Sequence, residues 1–263
     1  MPFVPRNGTR LYWKLEGCDG APPLVLLSSI GTDMDLWAPL LPTLRRSFRL
    51  LRLDTRGHGA SEAPPGDYSL SDLAQDVGAV MDAAGVGPAA VIGVSLGGMI
   101  AMQLALDAPE RIGALVLICT SATMDPSAWN GRIETVLRDG MAGIADLAME
   151  RFLDPGFAAQ YPEIAATVRR GLLQMEPHGY IGCAAAIRDM MLVDRLDAIR
   201  APALVITGSK DVSTPLSGHG EHLLAGIPNA AHAKLGCAHL APLEAPGLLA
   251  QAITTFLTDR EKQ

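Results

Sequence analysis

One serine in this sequence stands in a pattern that makes hydrolytic chemistry possible. Ser95 is the centre of "GVSLG" (93–97), which has the form Gly-x-Ser-x-Gly. The pattern follows an apolar run typical of a strand and precedes a run typical of a helix. In that context a nucleophilic serine sits on a strained turn with its Oγ exposed. The same residue types would also suit a tight strand-to-helix connection without chemistry, so further residues have to decide between the two interpretations.

A serine nucleophile needs a histidine as general base. With a turn of this kind the chain order is serine, acid, histidine. Of the six histidines, His239 follows the last short strand and precedes the last helix, so we predict it as the base. His58 precedes the serine in a glycine-rich turn, where we expect a structural role. The remaining four fit cap or solvated positions: His178, His219, His222 and His232.

The acid that orients the histidine should lie just beyond the preceding strand. "LVITGSKD" (204–211) places Asp211 at that point. A rival is Asp125, which lies shortly after "GALVLICT" (113–120), but a helical insertion begins there. We therefore predict Asp211 as the acid.

The oxyanion that forms on such a serine needs two hydrogen-bond donors. The backbone N–H of Leu96 comes directly after the serine, at the start of a predicted helix. The second donor is expected from the loop after "PLVLLSS" (23–29), where the N–H of Ile30 is the positional match. Both assignments rest on position, because a main-chain donor does not require a particular side chain.

The elements that must position these groups are recognisable from apolar runs. The runs are nearly continuous rather than alternating, which is typical of strands buried on both faces of a parallel sheet. Helical patterns lie between them, so the chain is expected to form a doubly wound α/β sheet. The runs are "PLVLLSS" (23–29), "FRLLRLD" (48–54), "AAVIGVS" (89–95), "GALVLICT" (113–120) and "PALVITGS" (202–209).

The strand–helix alternation stops between about residues 121 and 194. This stretch is rich in Ala, Met, Leu and Arg, has helical periodicity and lacks a clear strand. We predict a helical cap over 121–194, with 1–120 and 195–263 forming the core. A cap inserted there would lie at the carboxyl edge of the sheet, where open α/β folds bind ligands.

Composition excludes several other functions. The chain has 263 residues, 49% of them hydrophobic and 19% charged, with a net charge of −7, so we expect no nucleic-acid or membrane partner. The four cysteines lie far apart and none has zinc-site spacing, so we expect no metal, no cofactor and free thiols. The N-terminus lacks the features of a signal peptide, and a cytoplasmic location is expected. The oligomeric state is left open.

The motifs resemble the α/β-hydrolase superfamily and, within it, the 3-oxoadipate enol-lactonases. The resemblance implies an eight-stranded, mostly parallel sheet flanked by helices, with the cap inserted after the sixth strand. Ser28–Ser29 departs from the Asn-Ser pair of that family, so the exact substrate stays open. The widely shared motifs are "GVSLG" (93–97) and "DTRGHGASE" (54–62); the narrower ones are "GTDMDLW" (31–37), "WNGRI" (129–133) and "GYIGCAAAIRD" (179–189).

This resemblance implies a serine hydrolase that opens a small carboxylated enol-lactone through an acyl-enzyme on Ser95. A buried substrate carboxylate needs a cationic partner, and Arg132 and Arg188 in the cap are the candidates, with Trp129 as a wall of the pocket. Solvated cap surface is the alternative for the arginines, and cap packing for the tryptophan. A general carboxylesterase, a perhydrolase and a C–C bond hydrolase remain alternatives on the same scaffold. A ligand-binding receptor of this fold is a further one.

Overall fold

The apolar runs form the inner strands of an eight-stranded sheet in the computed structural model, which describes residues 3–258. The order of the strands across the sheet is β1-β2-β4-β3-β5-β6-β7-β8. The strands are β1 (Phe3–Arg6), β2 (Thr9–Glu16), β3 (Pro23–Leu27), β4 (Arg49–Leu53), β5 (Ala89–Val94), β6 (Ile112–Ile118), β7 (Ala203–Gly208) and β8 (Ala231–Leu235).

Six of these strands run parallel, and only β1 and β2 pair antiparallel with their neighbours. The central strands are buried on both faces, as Val25, Val91 and Leu117 illustrate with no exposed surface. Parallel strands end at one edge of the sheet, so the turns that follow β3, β5, β7 and β8 lie on the same side. The predicted fold class, with the insertion after the sixth strand, is confirmed.

Helices cover both faces of the sheet. Helix α2 begins at a capping box, in which the Ser69 hydroxyl accepts from the Asp72 N–H and the Asp72 carboxylate accepts from the Ser69 N–H. Helix α3 is buried around almost its whole circumference. The core helices are α1 (Leu41–Leu44), α2 (Leu70–Ala83), α3 (Leu96–Asp107), α9 (Glu221–Gly226), α10 (Ala241–Glu244) and α11 (Pro246–Thr258).

Five helices form the insertion between β6 and β7. Four of them begin with proline. Proline suits the first turn of a helix because N–H groups there have no acceptor within the helix, so the missing N–H costs no hydrogen bond. They are α4 (Pro126–Asp139), α5 (Ala142–Phe152), α6 (Pro155–Gln160), α7 (Pro162–Gln174) and α8 (Pro177–Arg188). Within residues 3–258, no helix has the length and apolarity needed to cross a bilayer.

The inserted helices lie over the carboxyl edge of the sheet. The Phe152 carbonyl accepts a hydrogen bond of 3.1 Å from the Leu240 N–H. Gly57 of the core and Gly179 of α8 meet backbone to backbone, so a side chain on either would collide with the other. The Tyr68 N–H donates to the carbonyl of Gly182 in α8 at 3.2 Å. The division of the chain at residues 121 and 194 stays a prediction.

Candidate active site

Ser95 occupies a strained turn between β5 and α3. Its φ of 56° and ψ of −119° are unusual for a residue with a side chain and cost about 1–3 kcal/mol. Hydrogen bonds hold the turn in place: the Ser95 N–H donates to the Ile118 carbonyl at 3.0 Å, and the Ser95 carbonyl accepts from Gly98 N–H at 2.9 Å. The Thr120 hydroxyl donates to the same carbonyl at 2.6 Å. Ser95 is 6% exposed.

The two glycines that lie two residues before and two residues after the serine allow backbone segments to approach closely at this turn. A side chain at Gly93 would collide with the backbone of Gly97, and one at Gly97 would collide with the carbonyl of Leu27. The first turn of α3 is thereby packed against the end of β3. The Gly-x-Ser-x-Gly spacing thus brings the loop after β3 next to Ser95.

Asp211 and His239 meet at the same edge of the sheet. They follow β7 and β8, and the His239 Nδ1 lies 3.0 Å from Asp211 Oδ2 and 3.1 Å from Oδ1. A side chain at Gly208 would collide with the carbonyls of Cys237 and Ala238, so glycine at the end of β7 lets the two loops touch. Both members of the pair are buried, with exposures of 4% and 3%.

The Asp211 carboxylate is held in its charged form. Burial alone would raise its pKa, but the charge and hydrogen bond of His239 and the hydrogen bonds of Thr214 and Ser213 outweigh burial and keep the pKa of Asp211 well below its usual value. Thr214 Oγ1 donates at 2.8 Å and the Ser213 N–H at 2.8 Å. A carboxylate with these partners fixes a histidine with its proton on Nδ1, which leaves Nε2 as the basic atom.

Asp125, the rival acid, has a different role in the structure. It is exposed at the N-terminus of α4, where its carboxylate accepts from the Ser127 N–H at 2.9 Å and from the Ser127 hydroxyl at 2.8 Å. These bonds lower the pKa of Asp125. The residue is a helix cap and not a partner of a histidine.

Two histidines expected to be solvated have side-chain partners instead. His219 is partly buried and its Nδ1 lies 2.8 Å from the Ser121 hydroxyl, while His232 Nε2 lies 2.9 Å from the Thr207 hydroxyl. His232 is nevertheless exposed, as expected, so the expectation of a solvated side chain failed only for His219, whose partner follows a different strand. His239 differs from them in its ring contact, because Phe152 stacks parallel to it at 6.2 Å with 7° between the planes.

The loop after β3 offers the backbone donor predicted at Ile30. In this loop the Gly31 N–H donates to His58 Nε2 at 2.9 Å and the Thr32 N–H donates to the Ser29 carbonyl at 3.2 Å. Within residues 3–258, the N–H of Ile30 has no acceptor, and neither has that of Leu96 at the start of α3. Two uncommitted N–H groups on loops that pack together at Ser95 are suited to an oxyanion.

On the cap side, an arginine lies over a buried tryptophan. Trp129 in α4 is 4% exposed, and the Arg132 guanidinium lies 4.2 Å from its ring centroid. Tyr180 of α8 is buried beside them. Burial raises the pKa of the Tyr180 hydroxyl, and the neighbouring Arg132 guanidinium opposes that rise. Trp129 therefore supports Arg132 by cation–π contact.

A second arginine, Arg151, joins this group, although the sequence did not single it out. It precedes the Phe152 that stacks on His239, and its carbonyl accepts from the Ser213 hydroxyl at 3.2 Å, so it sits beside the Asp211 loop. Burial, and then the positive charge of Arg132, lower the pKa of the Arg151 guanidinium. Within the described part of the chain, neither arginine has a carboxylate within 4.0 Å.

Arg188, the other predicted substrate partner, is already paired. Its guanidinium donates to Asp67 at 2.8 Å and to Asp189 at 2.5 Å, and these carboxylates raise its pKa. The structure therefore places Arg188 in an ion-pair network with Asp67 and Asp189, so its charge is already balanced by carboxylates. The sequence could not show this, because Asp67 lies 121 residues away along the chain.

A cleft with a volume of about 760 Å³ lies between α7 and the core loops. Gly31 and His58 form part of its floor, next to the Ile30 turn, whereas Ser95 does not line it. Four carboxylates stand around it: Asp33, Asp35, Glu163 and Glu176. Residues 3–258 contain no group of three or more His, Cys, Asp or Glu side chains that could hold a metal ion.

Comparison with known proteins identifies the family. A family model described as alpha/beta hydrolase fold matches residues 22–246. The chain belongs to the α/β-hydrolase family. The hydrolase is 31% identical over 237 residues to 3-oxoadipate enol-lactonase 2 of Acinetobacter baylyi, which covers 90% of this chain and 88% of that protein. The resemblance expected from the sequence is thus confirmed.

Two further matches give the range of similar proteins. The crystal structure of the enol-lactonase from Burkholderia xenovorans LB400 has a TM-score of 0.95 and 33% identity, covering 98% of this hydrolase and 100% of that chain. A putative carbamate hydrolase, RutD of Klebsiella pneumoniae, is 30% identical over 204 residues, covering 75% of this chain and 77% of its own.

Proposed function

We propose that this hydrolase opens a small enol-lactone that carries a carboxylate, through an acyl-enzyme on Ser95. The observation that carries the proposal is the buried His239–Asp211 hydrogen bond at the same sheet edge as the strained Ser95 turn. Similarity to two enol-lactonases supports the choice of substrate class. Arg132 and Arg151, which have no carboxylate within 4.0 Å among residues 3–258, support the choice of a substrate that carries a carboxylate.

In the proposed mechanism, Ser95 Oγ attacks the ring carbonyl while His239 Nε2 takes its proton. The N–H groups of Ile30 and Leu96 stabilise the negative oxygen of the tetrahedral intermediate. The ring C–O bond then breaks, and the leaving enolate takes the proton from His239 and becomes a ketone. Because the leaving group stays tethered to the acyl group, water activated by His239 releases one product.

In this proposal, the cap determines whether a negatively charged substrate can bind. The chain carries a net charge of −7 and the cleft is surrounded by carboxylates, so the long-range field repels an anion. Two arginines that repel each other without a carboxylate partner are stabilised when an anion binds between them. Arg132 on its tryptophan support is the proposed contact for the substrate carboxylate, and Arg151 adds to the positive potential.

Ser95→Ala tests the nucleophile. Covalent catalysis is lost, so kcat for any ester or lactone should fall by several orders of magnitude while the far-ultraviolet circular dichroism and the Tm remain those of the wild type. A serine-directed phosphonate should label Ser95 in the wild type, located by peptide mass spectrometry. Labelling of a different serine would refute the assignment.

A second candidate, hydrolysis of carbamates or simple carboxylic esters, is favoured by the similarity to the putative carbamate hydrolase. Initial rates on three substrates of similar size separate the candidates: a carboxymethyl enol-lactone, the corresponding neutral lactone and a small carbamate. Preference for the anionic lactone supports the proposal. Preference for the neutral lactone or the carbamate favours the second candidate instead.

A further inference from the structure

The loop after β3 and the turn after β4 are joined by a histidine that the mechanism above does not use. His58 is 3% exposed, and its Nε2 accepts the Gly31 N–H at 2.9 Å. Its Nδ1 lies 3.2 Å from the Arg56 carbonyl. A carbonyl can only accept, so Nδ1 carries the proton and Nε2 is free to accept. One neutral tautomer satisfies both contacts.

These contacts bear directly on Ile30. Residues 29–32 form a four-residue turn closed by the Thr32 N–H and the Thr32 hydroxyl, both of which donate to the Ser29 carbonyl, at 3.2 and 2.9 Å. The Ser29 carbonyl shares a peptide unit with the Ile30 N–H, so holding the carbonyl aims the N–H the opposite way. Gly31 has a φ of 79° at the third position of the turn, where glycine is favoured. His58 holds the next peptide unit through the Gly31 N–H.

The turn that carries His58 is itself fixed. The His58 N–H donates to the Thr55 carbonyl at 2.8 Å, and the His58 carbonyl accepts from the Ser61 N–H at 2.9 Å. Asp54, where this turn begins, makes a second link to the loop after β3 by accepting from the Met34 N–H at 2.8 Å. The acceptor offered to Gly31 thus sits on a rigid support.

We propose that His58 is a positioning residue that holds the Ile30 N–H in place for the oxyanion. It acts through Gly31 and does not touch the substrate's reacting atoms. This inference rests on the proposed roles of Ser95 and Ile30. It assigns a function to the histidine of "DTRGHGASE" beyond the structural role expected from the sequence.

The test compares side chains at position 58 that do or do not offer an acceptor to Gly31. His58→Gln keeps an acceptor near the place of Nε2, His58→Met has a similar length without one, and His58→Asn is polar but too short. His232→Gln is the control, because His232 bonds Thr207 between strands β7 and β8 and not the loop after β3. Neutral nitrophenyl acetate serves as the substrate, so the result does not depend on the lactone.

We expect kcat/KM to fall about 10–100-fold in His58→Met and His58→Asn, somewhat less than when an oxyanion donor is removed outright. His58→Gln should stay within about threefold of the wild type, like His232→Gln. An alkyl trifluoromethyl ketone, which forms a tetrahedral oxyanion on Ser95, should bind more weakly by the same factor as kcat/KM falls. The matching methyl ketone, which binds without forming the oxyanion, should keep its Ki.

Three outcomes would overturn the proposal: unchanged trifluoromethyl ketone binding in His58→Met, equal weakening of both ketones, or a Gln variant as impaired as the Asn variant. If His58→Met does not fold, the Gln and Asn variants decide alone. Retained ester turnover in Ser95→Ala would instead show that the proposed nucleophile is wrong. An inactive Ser95→Ala with a fully active His58→Met would refute only the role of His58.

Discussion

At the carboxyl edge of the sheet, called the core edge below, the Asp211 carboxylate accepts hydrogen bonds from His239, Thr214 and Ser213. In the cap, by contrast, Arg132 and Arg151 have no carboxylate within 4.0 Å among residues 3–258. The first region satisfies its charged group with protein atoms. The second leaves two positive charges near each other, with the Trp129 ring and the Tyr180 hydroxyl beside Arg132 but no carboxylate in contact with either arginine. A charged group whose hydrogen bonds are all made with protein atoms is fixed in position, whereas a charged group without an oppositely charged partner is available to a ligand.

In the function proposed above, this difference divides the work between the two regions. The core edge would supply the reaction chemistry, because its groups come from the ends of parallel strands and are held by backbone contacts. The cap would supply selectivity, because its charged side chains extend from helices that pack on that edge. Substitutions in the core edge should therefore affect all substrates alike, while substitutions in the cap should affect charged ones more.

The largest effect that tests this division is expected for Asp211→Asn. An amide at this position favours the wrong tautomer of His239, so kcat should fall by about 10⁴-fold on both charged and neutral substrates. Steady-state kinetics on the enol-lactone and on nitrophenyl acetate measure it. Asp125→Asn is the control and should leave both kcat and Tm close to the wild type, because asparagine keeps the Oδ1 acceptor and caps a helix about as well as aspartate. The reverse pattern would make Asp125 the acid.

A smaller and selective effect is expected for Arg132→Ala. Losing one partner of a buried charge pair costs about 2–5 kcal/mol, so kcat/KM should fall by that amount for the carboxylated lactone and change little for nitrophenyl acetate. Arg188→Ala is the matched control, because its guanidinium is already paired with Asp67 and Asp189. Equal losses on both substrates would mean that the cap had been disrupted and that the division of work does not hold.

The pH dependence of stability gives a further test within the core edge. Burial lowers the pKa of His58 to about 4, although the Arg56 carbonyl opposes this. The unfolded chain takes up this proton near pH 6.5 and the folded protein only near pH 4, so His58 destabilises the fold as pH falls between these values. Between pH 7 and pH 5, the free energy of unfolding of the wild type should therefore fall by about 2 kcal/mol more than that of His58→Gln.

Urea unfolding at both pH values measures this difference. Burial raises the pKa of Asp54 to about 6, so this residue stabilises the fold as the pH falls, which is the opposite of the effect of His58. Asp54 is present in both proteins, so its contribution cancels in the comparison. A gap between wild type and His58→Gln that stays constant from pH 7 to 5 would show that His58 is not held neutral.

The smallest expected effect concerns Arg188→Ala on stability. Its ion pairs are partly exposed, and such pairs contribute about 0–1 kcal/mol, so the free energy of unfolding should change by no more than that. The same urea experiment measures it. A larger loss would mean that the cap depends on its surface charges in the way the core edge depends on its buried ones.

The sequence predicted the inner strands and the Ser95 turn well, for physical reasons. Strands buried on both faces have to be apolar throughout, and a strained turn between packed backbones needs glycine at fixed spacing. The outermost strand β8 has no such run, because most of the residues in Ala231–Leu235 are exposed. His239 could be assigned only from its place before the last helix.

The sequence could not predict contacts that depend on how the cap folds back. Arg151 reaches the site because the end of α5 lies against the Asp211 loop, and no local pattern marks that. Arg188 was a candidate beside Arg132, which the adjoining Trp129 favoured only slightly, and the pairing of Arg188 with Asp67 is visible only in the structure. The hydrogen bond from Gly31 to His58 likewise joins two loops on adjacent strands, 27 residues apart.

The close approach of Gly57 and Gly179 has a mechanical consequence. Two backbones in contact have no side chains between them whose rotation could absorb a displacement, so the joint is stiff. Helix α8 is further tied to the core through the Tyr68 N–H and the Gly182 carbonyl. We therefore expect the backbone of the cap to fluctuate least where α8 meets the core.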